Sequence, residues 1–202
     1  MLLDPFYLIV DRAERLDAFL PLGLKLAQLR IKGLDETTRR ADILHAVRAC
    51  EAAGATLVVN DFWRDAIDLG APFVHLGQED LGDADVAAIR RAGVRLGVST
   101  HDHAELDRAL SFDPDYVALG PIWPTTLKVM PWAPQGLERI GEWRALARRP
   151  LVAIGGITLE RAAGVYAAGA DSIAVVSDVL SAPDPRARCR AWLEARTGVR
   201  TP

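Results

Sequence analysis

The sequence is short of cysteine, of net charge and of long apolar runs, and each shortage removes a class of protein. There are two cysteines, Cys50 and Cys189, far apart and in no CxxC unit. That argues against a disulfide framework or a thiolate metal site, and for buried free thiols in a reducing cytosol. A formal net charge of −3 over 202 residues offers no field for nucleic acid or an anionic membrane surface. The arginines from Arg186 to Arg200 alternate with acids and alanines at helical spacing, which predicts a solvated helix face rather than a basic patch. No apolar run is long enough to span a bilayer. The start, Met1-Leu2-Leu3-Asp4-Pro5, lacks the basic region of a signal peptide. The expectation is a soluble cytoplasmic protein with neither nucleic-acid nor membrane partners.

What is present is a regular succession of short apolar runs. They are Phe6–Val10, Leu26–Ile31, Thr56–Val59, Phe73–Leu76, Arg95–Val98, Tyr116–Leu119, Leu151–Ile154 and Ser172–Val176. Between them lie segments of helical periodicity rich in alanine, leucine and arginine, such as 36–53, 84–91, 104–110, 159–168 and 185–195. Gly54, Gly70, Gly93 and Gly169 stand where helix ends need a left-handed cap. Asp35 and Thr158 stand where helix starts need an N-cap. Strand and helix in strict alternation allow an open doubly wound sheet or a closed barrel. An open nucleotide-binding sheet wants Gly-x-Gly-x-x-Gly after its first strand. Here Asp11-Arg12-Ala13-Glu14 follows, with no glycine. The reading is α/β, a single (β/α)8 TIM barrel spanning residues 1–202.

In such a barrel the active site lies at the C-terminal ends of the strands, and there this chain is polar. The second strand supplies Gln28, Arg30 and Lys32, which alternation places on one face. Asn60-Asp61 follow the third, His75 through Asp80 the fourth, and Ser99-Thr100-His101 the fifth. Gly155-Gly156 after the seventh and Val176-Ser177 after the eighth fit the usual phosphate site of this fold. After the sixth strand a long loop carries Pro121, Pro124, Pro131 and Pro134 together with Thr125, Thr126 and Lys128. A stiffened loop bearing hydroxyls and an ammonium suits an anionic ligand. Asp61 and Asp80 follow neighbouring strands and suit Mg²⁺, which takes one or two carboxylates plus substrate phosphates. They would serve equally as helix N-caps. His75, His101 and His103 read as structural rather than catalytic.

These residues together resemble the thiamine-phosphate synthase family. The resemblance runs from Tyr7-Leu8-Ile9-Val10-Asp11 to Val175-Val176-Ser177. In between it takes in Gln28-Leu29-Arg30-Ile31-Lys32, Asn60-Asp61, His75-Leu76-Gly77-Gln78-Glu79-Asp80, Ser99-Thr100-His101, Gly120-Pro121-Ile122-Trp123-Pro124-Thr125, Lys128, Gln135-Gly136 and Ile154-Gly155-Gly156-Ile157. It implies that Gln28, Arg30, Lys32, Asn60, Ser99 and Lys128 hold an aminopyrimidine diphosphate. Asp61 and Asp80 would bind Mg²⁺, and Thr125, Gly156, Val176 and Ser177 would hold a thiazole phosphate. In the family's reaction the thiazole nitrogen displaces pyrophosphate from the pyrimidine methylene, with departure leading and attack following. Arg30, Lys32, Ser99 and Lys128 would be the catalytic set, and no protein nucleophile is required.

Two departures stand out. Leu127 occupies the place where many members have threonine, so a hydroxyl is missing or is supplied by Thr126. Phe62-Trp63 follow Asn60-Asp61 where members commonly have a charged residue. Two other functions compete with synthesis: a thiazole tautomerase on the same barrel, which uses a histidine where this chain has Pro121, and a non-catalytic thiamine-precursor binding protein. A homo-oligomer is compatible with the sequence, which does not set the number of subunits.

Overall fold

In the computed structural model, which describes residues 3–125 and 132–196, each apolar run forms a strand. They are β1 (Phe6–Val10), β2 (Leu26–Leu29), β3 (Thr56–Asn60), β4 (Phe73–Leu76), β5 (Arg95–Thr100), β6 (Tyr116–Leu119), β7 (Leu151–Ile154) and β8 (Ser172–Val175). All are parallel and pair in chain order, and β1 pairs with β8 to close the barrel. Closure leaves no sheet edge to protect. Two boundaries differ from expectation. β2 stops at Leu29, where its register with β3 ends, although Arg30 N–H still reaches Val10 O at 2.8 Å. β5 runs on to Thr100, opposite Leu119 of β6.

Alternation along each strand sorts the core into two shells. Phe6, Leu8, Val74, Val98, Val117 and Ile173 belong to the outer shell, which packs against the helices. Tyr7, Leu26, Val58, Phe73, Tyr116 and Val152 form a separate cluster around the barrel axis. Both faces are dry, so the strands read as continuous apolar runs.

Gly97 makes the inner shell possible. A Cβ on it would stand 2.5 Å from Tyr116 Oη and closer still to the ring carbons. β5 therefore gives up one inward side chain to admit the tyrosine of β6. Gly97→Ala is expected to cost about 1–3 kcal/mol through overpacking. In a domain of this size that is a fall of roughly 2–10 °C in Tm. An unchanged Tm by scanning calorimetry would mean the ring has room to move.

The helices follow local signals. Asp35 caps Glu36–Ala52, its carboxylate accepting from Thr38 N–H at 3.0 Å. The glycines expected past helix ends do take left-handed φ. Thr158 departs from expectation, because it makes no side-chain cap bond and precedes a 3-10 turn, with the α-helix starting only at Ala162. The C-terminal helix Pro185–Arg196 docks through Cys189 and Trp192, whose ring stacks on Phe6 at 5.4 Å between centroids. Arg188 leaves the expected solvated face. It turns inward to hold both carboxylate oxygens of Asp178 at 2.9 Å and to reach Glu160. That pairing holds the Glu160 carboxyl at about 2. Neither cysteine is disulfide-bonded and both are buried, and burial pushes the Cys50 thiol up to about 12, which makes it inert. No helix among the described residues is long and apolar enough to cross a membrane.

Candidate active site

The strands end on one rim, and the rim encloses a cavity of about 270 Å³. Gln28 and Arg30 reach it from β2, Asn60 and Asp61 from β3, His75 from β4 and Ser99 from β5. Thr125 enters from the segment after β6, Gly156 from the β7 turn, and Val176 and Ser177 from the end of β8. Asp80 completes the ring from the first turn of the helix Gln78–Asp83. Lys32, beyond the end of β2, is exposed and does not line the cavity. Thr126, Leu127 and Lys128 lie outside the described residues.

The β3 and β4 sides carry the carboxylates. Asp61 has φ +66, a left-handed conformation that asparagine and aspartate tolerate better than other side-chain-bearing residues. Its N–H donates to His75 O at 2.9 Å, and its carbonyl accepts from Trp63 N–H at 2.8 Å. The helix Trp63–Asp68 has Phe62 as its N-cap, and Gln78–Asp83 has Gly77, neither with a side-chain cap bond. Neither Asp61 nor Asp80 is itself the N-cap residue of those helices. Both also share a polar groove with Arg39, Arg40 and Asp65, so they are neighbours. A Cβ on Gly77 would stand 3.2 Å from Asp80 Oδ2, so glycine leaves that oxygen room. No group of three or more acidic, histidine or cysteine side chains converges among the described residues. Two carboxylates fit a cation whose remaining ligands are water and phosphate oxygens. Phe62 and Trp63 turn to other work, under the guanidinium groups of Arg39 at 4.4 Å and Arg64 at 4.2 Å.

Across the cavity, the β7 turn is built for a close backbone approach. Gly155 and Gly156 take φ +99 and +64, and the segment 120–125 lies directly against them. Ile122 N–H donates to Ile154 O and Trp123 N–H to Gly155 O, each at 3.0 Å. Arg161 donates to Gly156 O at 2.5 Å and stands 4.8 Å over the Trp123 ring. Trp123 is thus held on the far side of the turn and does not line the cavity. Gln135 and Gly136 N–H return to Pro121 O and Ile122 O at 2.8 and 3.1 Å. Trp132 stacks on His101 at 3.9 Å between centroids, and His101 is held in turn by Glu105 at 2.7 Å. Both described ends of the long loop are therefore pinned to the rim.

A buried chain of polar groups forms the floor of the cavity, and sequence reading missed most of it. Gln28 Nε2 donates to Tyr7 Oη at 2.8 Å, and Tyr7 Oη lies 3.2 Å from Tyr116 Oη. Tyr116 Oη is 2.8 Å from His75 Nδ1, and His75 Nε2 is 2.8 Å from Ser99 Oγ. Burial first, then the charges of Arg30 and His101, pushes the His75 imidazole down to about 4, so it is neutral. Burial raises both tyrosines above their ordinary value. The available signal was alternation, since Tyr7 and Tyr116 sit two residues before Ile9 and Ala118 on inward-facing positions.

Known proteins resemble this chain over most of its length. The model of the thiamine monophosphate synthase family matches residues 6–179. A thiamine-phosphate synthase of Rhizobium etli is 60% identical over 196 residues, covering 96% of each chain. One from Neisseria meningitidis serogroup A is 47% identical over 188 residues, covering 93% of this chain and 92% of that one. Among solved structures, a thiamine phosphate pyrophosphorylase from Pyrococcus furiosus superposes with a TM-score of 0.86 at 27% identity, covering 98% of both chains. A closed barrel with this polar rim, matched over most of its length, belongs to the thiamine monophosphate synthase family.

Proposed function

We propose that this chain is a transferase that makes thiamine phosphate. It joins 4-amino-5-hydroxymethyl-2-methylpyrimidine diphosphate to 4-methyl-5-(2-phosphoethyl)thiazole, or to its carboxylate form with loss of carbon dioxide, and releases pyrophosphate. The carrying observation is that one cavity joins hydrogen-bond donors beside two carboxylates, a set fit for a cation-bound diphosphate, to a glycine turn fit for a phosphate. Gln28, Arg30, Asn60, Asp61, Asp80 and Ser99 stand on one side, and Gly156, Val176 and Ser177 on the other. In the step itself the thiazole nitrogen lone pair forms a bond to the methylene carbon. The bond from that carbon to the diphosphate oxygen breaks, and its electron pair leaves with pyrophosphate. The electron-rich aminopyrimidine stabilises a methylene cation, so bond breaking can lead.

The residues' work is positional and electrostatic. Arg30 meets the charge developing on the leaving group, with Lys32 and Lys128 assigned the same task. Ser99 and Asn60 offer hydrogen bonds to the pyrimidine diphosphate, with Gln28 beside them. The glycine turn at Gly156, with Val176, Ser177 and Thr125, seats the thiazole phosphate; Thr126 is assigned beside them. Asp61 and Asp80 would hold Mg²⁺, which when bound supplies positive charge to the diphosphate. No side chain is asked to form a covalent bond, and His75, held neutral in the buried chain, is not a general base.

The purified protein incubated with both substrates and Mg²⁺ should form thiamine phosphate and pyrophosphate in equal amounts. Omitting either substrate should stop both. Tautomer conversion of the thiazole carboxylate without condensation would overturn the reading in favour of an isomerase. Binding of both precursors without product would make the chain a binding protein.

A further inference from the structure

The buried chain from Gln28 to Ser99 has a direction, and its first link sets it. An amide nitrogen only donates, so Tyr7 Oη accepts from Gln28 Nε2. Among the described residues the remaining partner for the Tyr7 proton is Tyr116 Oη. Tyr116, having accepted, gives its own proton to His75 Nδ1. That nitrogen then presents a lone pair, so the neutral ring carries its proton on Nε2 and donates it to Ser99 Oγ. The serine's own proton is left over, and Ser99 lines the cavity.

We infer that Tyr116 and His75 are positioning residues that hold the Ser99 hydroxyl as a hydrogen-bond donor toward the cavity. The ligand group that meets the Ser99 proton is therefore an acceptor, a phosphate oxygen or a ring nitrogen. With the chain reversed, Ser99 would donate to His75 and offer the ligand only lone pairs. Tyr7 and Tyr116 line the floor of the cavity but are almost wholly buried, which keeps water from supplying a substitute donor to Nδ1. This deepens the proposed function and rests on its placement of Ser99 against substrate.

Tyr116→Phe keeps the ring and removes the one donor to Nδ1. In the ligand-free protein, ¹⁵N-detected NMR of the histidine rings should show the His75 proton on Nε2, and a mixture of tautomers in Tyr116→Phe. A ring proton on Nδ1 in the unsubstituted protein would overturn the inference. In steady-state kinetics, Tyr116→Phe and Ser99→Ala should each lower kcat/KM for the pyrimidine diphosphate by about tenfold or more. The double variant should be no worse than Ser99→Ala alone, because both changes remove the same hydrogen bond. Losses that multiply would overturn it. His75→Gln, which keeps an N–H near the Nε2 position, should retain more activity than His75→Asn; the opposite order would count against the chain. A fully active Ser99→Ala would instead refute the placement of Ser99 against substrate, and the ligand-free tautomer reports on the chain separately.

Discussion

Replacing Asp61 with asparagine should lower kcat on the order of 10²–10³-fold while leaving the fold intact. The two halves of that expectation have separate causes. Asp61 sits at φ +66, and asparagine is the substitute that accepts a left-handed backbone at little cost. The turn around it is made by main-chain bonds, Asp61 N–H to His75 O and Trp63 N–H to Asp61 O, which asparagine keeps. What is lost is one negative charge beside Asp80. With one carboxylate of two removed, the affinity for a divalent cation falls, and so does the neutralisation of the leaving pyrophosphate. Initial rates across a Mg²⁺ titration, alongside a thermal melt, check both halves. Near-normal turnover with a normal Tm would show that the charge is not needed and that the metal assignment is wrong. Asp61→Ala is the less informative variant, because alanine loses the charge and strains the turn together.

The second large effect is expected at Gly156→Ala, and it should fall on one substrate. A Cβ there would stand 2.5 Å from Pro124 O, 2.7 Å from Trp123 Cβ and 2.9 Å from Trp123 O. Two of those atoms are backbone oxygens, which cannot rotate out of the way. The left-handed φ of +64 adds about 1–2 kcal/mol of strain for alanine. The chain relieves the clash by moving the 120–125 segment away from the β7 turn, and Thr125 goes with it. KM for the thiazole phosphate should rise roughly 10–100-fold, the loss of one or two charge-assisted hydrogen bonds. KM for the pyrimidine diphosphate should change little, because Arg30, Asn60 and Ser99 stand on other strands. Separate saturation curves for the two substrates decide it. Equal losses for both would mean that the two ends of the cavity are not independent.

The positions of Asn60, Ser99, Gly156 and Ser177 on the rim were legible because parallel strands all point the same way. Any residue that follows an apolar run must then lie at the same end of the barrel, whatever its partners. The same logic is weaker at Lys32, which is exposed and outside the cavity lining. Alternation puts it on the face of Gln28 and Arg30, but β2 has ended at Leu29, and past a strand end alternation no longer governs direction. It also left Asp61 and Asp80 ambiguous between capping and metal binding. The structure gives the N-cap positions to Phe62 and Gly77, which no sequence pattern shows. Phe62 and Trp63, a departure from the family pattern in sequence, are explained by the arginines they lie under. Arg188 was misplaced on the solvated face because helical spacing shows which residues share a face, and not what that face meets.

What the amino-acid sequence determined by itself is the order of strands, their polar ends and the family, since each depends on neighbours a few residues apart. What the tertiary structure decided is the interior. Tyr7 and Tyr116 meet across 109 residues of chain, and Gly97 is glycine only because a ring from the next strand occupies its space. Contacts across the barrel axis exist only once the sheet has closed, and no local pattern records them.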